Sequence, residues 1–400
     1  MSVARRPVVI VGAGPVGLTT ALVLARAGVP VTVLEQGPAL STASKASTFH
    51  PATLDLLEEL GVADDLIAAG RRVEHIQWRA LDQRVIHQLP YAPLAGHTRH
   101  PYRVHVEQSR LTPLLLDALT THPHAEVHFD TTVLDVRPHG DTVRLWTQGP
   151  GGLRLPLDAD HLVAADGSRS LVRTALHLPS EARPYPSYAL RVVTDTPLDA
   201  LIPGLAPLAY VRDPAQSFSI LGMPDHWRLI FRMPQATDRD HAADPAHVRD
   251  LLRRALPGVA DQVGVTDAHT YRLARFVLPD YRAGRVLFAG DAAHLTSTAG
   301  GMNMNCGLHD AVAFGRALAG VHGGWLPDTA LTTTAAQRRA AVLDAVLPRS
   351  EARTAGLDDT SALQRALDDI GRTAADPERT TEYLIKASLL DCAPRPQLSH

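Results

Sequence analysis

PVVIVGAGPVGLTTALVLA, residues 7–25, runs nineteen residues without a charge between Arg6 and Arg26. Length alone would suit a signal peptide or a membrane span. Three glycines and Pro15 inside the stretch argue otherwise, and a second apolar run, PVTVLE (residues 30–35), follows at once. The stretch reads as a buried strand over 8–12, a tight turn, and a helix from Pro15 to about Ala27, with Leu18, Ala21, Leu22 and Ala25 at helical spacing.

The turn between them is Gly12-Ala13-Gly14-Pro15-Val16-Gly17, a GxGxxG that follows a strand and opens a helix. Gly12 permits the turn, Gly14 lets a pyrophosphate approach the backbone, and Gly17 lets helix and strand pack closely. The free N–H groups and partial positive charge of the helix N-terminus favour a phosphate there. Glu35 ends the next strand, where an acid accepts from a ribose hydroxyl. This context predicts a dinucleotide site, and both NAD and FAD satisfy it.

Totals narrow the classes. The chain has 400 residues, 45% hydrophobic, enough for a sizeable core and two or three domains. A net charge of −3 and 5% aromatic residues give no basic or base-stacking surface for nucleic acid or an anionic membrane. Two cysteines, Cys306 and Cys392, form no CxxC, so a disulfide framework is not expected and a reducing, cytoplasmic compartment is the default.

Further along, helices are expected over 51–62 and 109–122, and strand, turn and helix over 158–173. From Pro184 to Met233 short strand patterns (SYALRVVTD, LAYVRD, SFSILGM, WRLIFRM) predict a mainly antiparallel sheet. After Leu331 the chain is rich in Ala and Leu and reads as helical. The two segment types interleave. The expected architecture is therefore α/β: a discontinuous Rossmann-like domain (1–75, 101–180, 270–330), a smaller antiparallel substrate domain (76–100, 181–269), and a C-terminal helical segment (331–400).

Two further motifs specify the dinucleotide. LVAADGSRSLVR (residues 162–173) and GRVLFAGDAAH…GGMNMNCGLHDA (residues 284–311) follow the GxGxxG in order. Over roughly residues 5–320 the chain resembles the class A FAD-dependent aromatic monooxygenases of the para-hydroxybenzoate hydroxylase type. The resemblance implies FAD as cofactor, NADPH or NADH as co-substrate, and hydroxylation of an aromatic, phenolic molecule with O2 through a flavin C4a-hydroperoxide. It implies FAD contacts at Gly12, Gly14, Pro15, Val16, Gly17, Glu35, Lys45 and Gln108. It further implies them at Asp166, Gly167 and Arg169 of the second motif, which Arg173 follows, and at Asp291, Gly300, Gly301, Met304 and Asn305 of the third. The physics of the third motif agrees. An acid at a strand tip accepts from a polyol, and a glycine-rich helix start stabilises the anionic side of a reduced flavin.

The chain departs from the family pattern at Ser297 and Thr298, where two prolines are usual, and at Asn303, where glycine is usual. The first change predicts a looser loop on the oxygen-reacting side; at Asn303, asparagine tolerates the left-handed backbone and caps helices. His294 and Cys306 are expected to be structural. For the substrate pocket the candidates are Arg191, Tyr210, Arg212, Phe218, Trp227 and Phe231, weighed against aromatic core and solvated arginines. The twenty histidines form no metal spacing, and those near His97–His105 and His122–His128 read as exposed loop residues. No GxSxG or P-loop occurs. Relatives of the same fold, an oxygen-independent reductase or a halogenase, and a flavin-binding redox sensor are the competing readings. A monomer or homodimer without a membrane span is expected.

Overall fold

The computed structural model of the protein describes residues 6–43 and 46–394. Its first layer is a six-stranded sheet in the order Arg282–Ala283, Val286–Phe288, His161–Ala164, Val8–Val11, Val31–Leu34, Ala125–His128. All neighbours run parallel except the hairpin formed by the first two strands. The three central strands, beginning at Val8, Val31 and His161, are buried along their length, as strands covered on both faces are.

The opening stretch is a strand at Val8–Val11 and a helix at Pro15–Arg26. Against that helix lies the longest one, Met302–Gly323. Small residues let the two approach. A Cβ on Gly315 would stand 2.6 Å from Val23 Cγ1, and one on Gly307 3.0 Å from Val16 Cγ2. Among the described residues no helix is long and apolar enough to cross a membrane.

The second layer is an eight-stranded sheet in the order His294–Leu295, Asp267–Val277, Arg183–Thr194, Trp227–Pro234, Phe218–Gly222, Leu208–Val211, His75–Arg79, Val85–Pro90. One pair, Leu208–Val211 with His75–Arg79, is parallel and the rest are antiparallel. Register fixes its faces. Val211, Phe218 and Phe231 align across three strands, and Tyr210, Ser219, Ile230 and Arg191 align across four on the opposite face. The Pro245–Ala255 helix covers the first face with Val248, Leu251, Leu252 and Ala255.

The tail is helical, as its composition predicts: Thr329–Ala340, a widened turn at Ala341–Val346, then Leu347–Ala352, Thr360–Ala374 and Pro377–Ala387. The last of these sets Leu384 into a cluster with Trp78, Tyr91 and Tyr210 from the large sheet and the loop after it.

Candidate active site

The glycine turn separates two roles. At Gly17 a Cβ would lie 1.9 Å from the Gly12 carbonyl oxygen. At Gly12, whose φ is +104°, it would lie 2.5 Å from the Ala165 oxygen. Both glycines are demanded by the protein's own packing. Gly14 is different, since its φ of −74° suits any residue and nothing lies within 4 Å of its would-be Cβ. Packing among the described residues does not require glycine at that position. Gly14 also starts the Pro15–Arg26 helix with no side-chain cap, leaving first-turn N–H groups for an anion.

Glu35 braces this turn. Its Oε2 accepts from the Ala13 N–H at 2.9 Å and its Oε1 from the Gly37 N–H at 2.8 Å. Each oxygen retains a lone pair for a ribose hydroxyl. Lys45 lies outside the described residues. Gln108 begins the Gln108–Thr120 helix, and its backbone N–H donates to Ala46 O at 3.0 Å. Beside it Glu107 accepts from Arg228 of the large sheet, tying the two layers together.

At the second motif, Asp166 Oδ2 accepts from the Val172 N–H at 3.1 Å, while Oδ1 is buried with no protein partner. Burial raises the carboxyl's pKa above its ordinary value. Gly167 has φ +81°, and Arg169 is exposed. Arg173 is 2% exposed and donates to Ser168 O at 2.6 Å and Ala292 O at 2.9 Å, clamping the second motif to the third.

At the third motif, Asp291 is exposed and accepts from Asn303 Nδ2 at 2.8 Å. Gly300 and Gly301 take φ +83° and +66°, and Gly301 starts the long helix without a side-chain cap. A Cβ on Gly301 would stand 3.0 Å from Thr48 Cβ. Met304 is buried beneath this loop. Asn305 is fully buried and spends its amide on the protein: Nδ2 donates to Thr48 O and Gly301 O, and Oδ1 accepts from the His50 N–H. Its side chain therefore holds the glycine loop from behind.

The departures from the family pattern find partners. Ser297 is 1% exposed, and its hydroxyl accepts from Arg232 Nη2 at 3.0 Å and from the Ala299 N–H at 3.3 Å. The loop expected to be loose is tied to the large sheet by hydrogen bonds that prolines could not make. Asn303 lies in the first helical turn, not in left-handed backbone, and its amide bridges Asp291 and His294.

Facing Gly300 is a cluster the sequence pointed to only in part. Tyr210 and Arg212 belong to it, with the Arg212 guanidinium 4.9 Å from the Tyr210 ring centre. Arg353 of the tail packs on Gly300 so closely that a Cβ there would stand 2.8 Å from its Nε, and its guanidinium is 5.9 Å from the Tyr210 ring. Trp78 lies against Tyr210 and Tyr383, at 5.9 and 6.2 Å between centroids. Arg103 is buried under the Tyr91 ring at 5.6 Å and donates to Ala387 O at 2.9 Å. Three buried polar atoms here lack a protein partner: Tyr91 Oη, Arg103 Nε and His50 Nδ1.

Electrostatics mark the same place. Burial pushes the Tyr210 phenol's pKa up, but the guanidiniums of Arg353, Arg103 and Arg212 outweigh it and hold it below its ordinary value. Burial, seconded by Arg103, holds His50 well below the usual histidine range. His50 is thus neutral and donates from Nε2 to Gly300 O at 2.9 Å. Burial lowers Arg212 to about 10.

Four substrate candidates do not join the cluster. Phe218 and Phe231 stack at 4.9 Å on the opposite face of the sheet, and Trp227 lies with them in the core beneath the Pro245–Ala255 helix. Alternation within one strand gives two faces but does not say which one looks inward. Arg191 shares the face of Tyr210 but stands three strands away, about 14 Å, and donates to Asp267 at 2.9 Å. Two histidines expected in exposed loops are buried instead. His100 bonds Asp55 at 2.7 Å and His105 bonds Gly222 O at 3.1 Å.

The groups present fit FAD along a continuous strip: an open Gly14 cradle, a braced Glu35, an orphaned buried oxygen on Asp166, an exposed Asp291, and an uncapped helix at Gly301. Comparison with known proteins agrees. The model of the FAD-binding-domain family matches residues 5–350. The chain is 29% identical to the para-nitrophenol 4-monooxygenase of Pseudomonas sp. (strain WBC-3), over 96% of this chain and 94% of that one. It is 31% identical to the 6-hydroxy-3-succinoylpyridine 3-monooxygenase of Pseudomonas putida (strain DSM 28022 / S16), over 88% of each. The crystal structure of p-nitrophenol 4-monooxygenase from Pseudomonas putida DLL-E4 superposes with a TM-score of 0.89 at 27% identity, covering 98% of this chain and 99% of that one. With motif order, site geometry, sequence and fold in agreement, the chain belongs to the FAD-binding-domain family, as a class A FAD-dependent aromatic monooxygenase.

Proposed function

We propose that this enzyme hydroxylates a phenol bound as its anion, using NAD(P)H and O2, where the Tyr210 face of the large sheet meets the Gly300 loop. The carrying observation is the set of guanidiniums from Arg103, Arg212 and Arg353 around Tyr91, Tyr210 and Tyr383. Clustered like charges in a low-dielectric setting favour an anionic guest. FAD, when bound, supplies hydride acceptance and oxygen-transfer chemistry. The side chains hold and orient the ring.

Against the cost of burial, the guanidiniums of Arg353, Arg103 and Arg212 favour negative charge at the Tyr210 oxygen, and the same field favours an anionic oxygen on a bound ring. Tyr91 Oη and Arg103 Nε are the unspent donors for a second polar group on the ring. An acidic phenol bearing an electron-withdrawing acceptor, such as the nitrophenol in a relative's name, fits both ends. Trp78 supplies the aromatic wall.

Arg353→Met tests this reading. Loss of a charged hydrogen-bond partner costs about 1.5–3 kcal/mol, so KM for an ionised nitrophenol should rise roughly tenfold to hundredfold. FAD affinity should stay unchanged. An unaltered KM for every phenol in steady-state NAD(P)H-oxidation assays would contradict this reading.

A further inference from the structure

Behind the third motif runs a buried line of charges that cofactor binding and substrate recognition leave unexplained. Arg338 Nε donates to Asp310 Oδ1 at 2.8 Å. Asp310 Oδ2 faces His294 Nε2 at 2.8 Å and accepts from the Gly290 N–H at 3.2 Å. His294 Nδ1 faces Asn303 Oδ1 at 3.1 Å, and Asn303 Nδ2 donates to Asp291 Oδ1 at 2.8 Å. His294 and Asp310 are both 0% exposed.

Hydrogen-bond accounting decides the protonation state. Asp291 presents an acceptor to Asn303, so the amide's NH2 must point to it, and the amide oxygen must then face His294. The Thr296 hydroxyl, 3.2 Å from the same oxygen, fits that orientation. His294 Nδ1 therefore carries a proton. Asp310 already accepts from a guanidinium and a backbone N–H, which suits a carboxylate, so His294 Nε2 carries a proton too. The charges then alternate along the line: Arg338 positive, Asp310 negative, His294 positive, Asp291 negative.

We propose that His294 is an imidazolium throughout neutral pH and acts as a positioning residue for the cofactor, holding the Asp291 carboxylate through Asn303. This rests on the reading that Asp291 holds FAD. With Oδ1 fixed by Asn303, Oδ2 is presented in one direction for a cofactor hydroxyl. Asp310 and Cys306 of the long helix, Arg338 of the Thr329–Ala340 helix and Tyr281, stacked at 5.9 Å, are the titratable groups around the ring. Burial opposes the imidazolium's charge, but Asp310 outweighs it and holds the pKa well above 6.5. The ligand atoms of His294, Cys306 and Asp310 lie within 4.8 Å of one another, a spacing a metal would accept, but Arg338 Nη2 already reaches Cys306 Sγ at 3.3 Å. A cation occupies that role from within the chain.

The test pairs two measurements on the full chain. In protein labelled with 15N-histidine, the resonance assigned by its absence in His294→Gln should show both ring nitrogens protonated at about pH 8. Flavin-fluorescence titration should give FAD affinity at least tenfold weaker in His294→Gln, from the lost charged hydrogen bond. Wild-type affinity should stay flat through pH 6.5, where an ordinary histidine would lose its proton. Should His294→Gln fail to fold, Asn303→Ala, at a half-buried position, supplies the assignment and the same affinity loss. A singly protonated ring at that pH, or a variant that binds FAD as wild type does, overturns the inference. Wild-type protein that binds no FAD overturns the site reading on which it rests.

Discussion

Gly17→Ala abolishes FAD retention by damaging the fold, whereas Gly14→Ala folds normally and loses FAD alone. The Cβ added at Gly17 falls 1.9 Å from a backbone oxygen, and backbone cannot rotate away as a side-chain tip can. Strand and helix must separate in the most buried part of the parallel sheet, at a cost of about 1–3 kcal/mol or more. At Gly14 the added methyl meets nothing within 4 Å and the backbone angles are already suitable. Apo stability should change by less than about 1 kcal/mol, the range for a helix-cap substitution. The methyl occupies the approach of the pyrophosphate, so FAD affinity should drop more than tenfold. Denaturant unfolding of the apo forms and fluorescence titration with FAD read the two effects separately. Equal affinity of Gly14→Ala and wild type would mean that no ligand comes against that backbone.

Asp310→Asn produces the second large effect. It leaves Arg338 and His294 as buried cations without their shared acid, and breaking a buried pair costs about 3–5 kcal/mol. The cost should appear as a lower denaturation midpoint. Its pH dependence follows from the two shifts. Burial raises the Asp310 carboxyl, but Arg338 and then His294 outweigh it and hold it below 3.8. Its contribution is therefore present above that value and is lost as pH falls through the folded pKa. His294 is held above 6.5, so its contribution is complete below that value and is lost as pH rises through the folded pKa. Wild type should carry the full contribution between about 3.8 and 6.5 and lose it on both sides. Asp310→Asn should show a flatter profile. Parallel profiles for the two proteins would refute the charge line.

The cofactor half of the site was legible because its residues sit in local motifs. Gly12, Gly14, Gly17 and Glu35 belong to one strand–helix–strand unit, where spacing alone specifies which backbone must turn and which must stay bare. Asp291 and the two glycines after it belong to another. The proposed substrate half is assembled from six distant segments. Arg103, Tyr91, Trp78, Arg353 and Tyr383 carry no local pattern, and Arg353 sits in a tail that composition describes only as helical. Their signal lies in pairing register and helix docking, which appear only when the chain folds. The same limit explains Phe218, Trp227 and Phe231: aromatic alternation on a strand was correct, but the inward face was set by the Pro245–Ala255 helix. His100 and His105 were misplaced for a related reason, since a polar side chain is buried readily once Asp55 or a carbonyl waits for it. At Ser297, Thr298 and Asn303 the substitutions were visible, but their partners Arg232 and His294 were not.

One experiment joins both halves of the site. FAD-loaded protein is reduced with NAD(P)H and mixed with an ionisable nitrophenol under oxygen-18 gas, and the product is weighed by mass spectrometry. A phenolic product bearing one heavy oxygen atom, with yield falling in Arg353→Met while bound flavin stays constant, is the expected result. Flavin reoxidation that yields only hydrogen peroxide with every phenol, in wild type and variant alike, would contradict it.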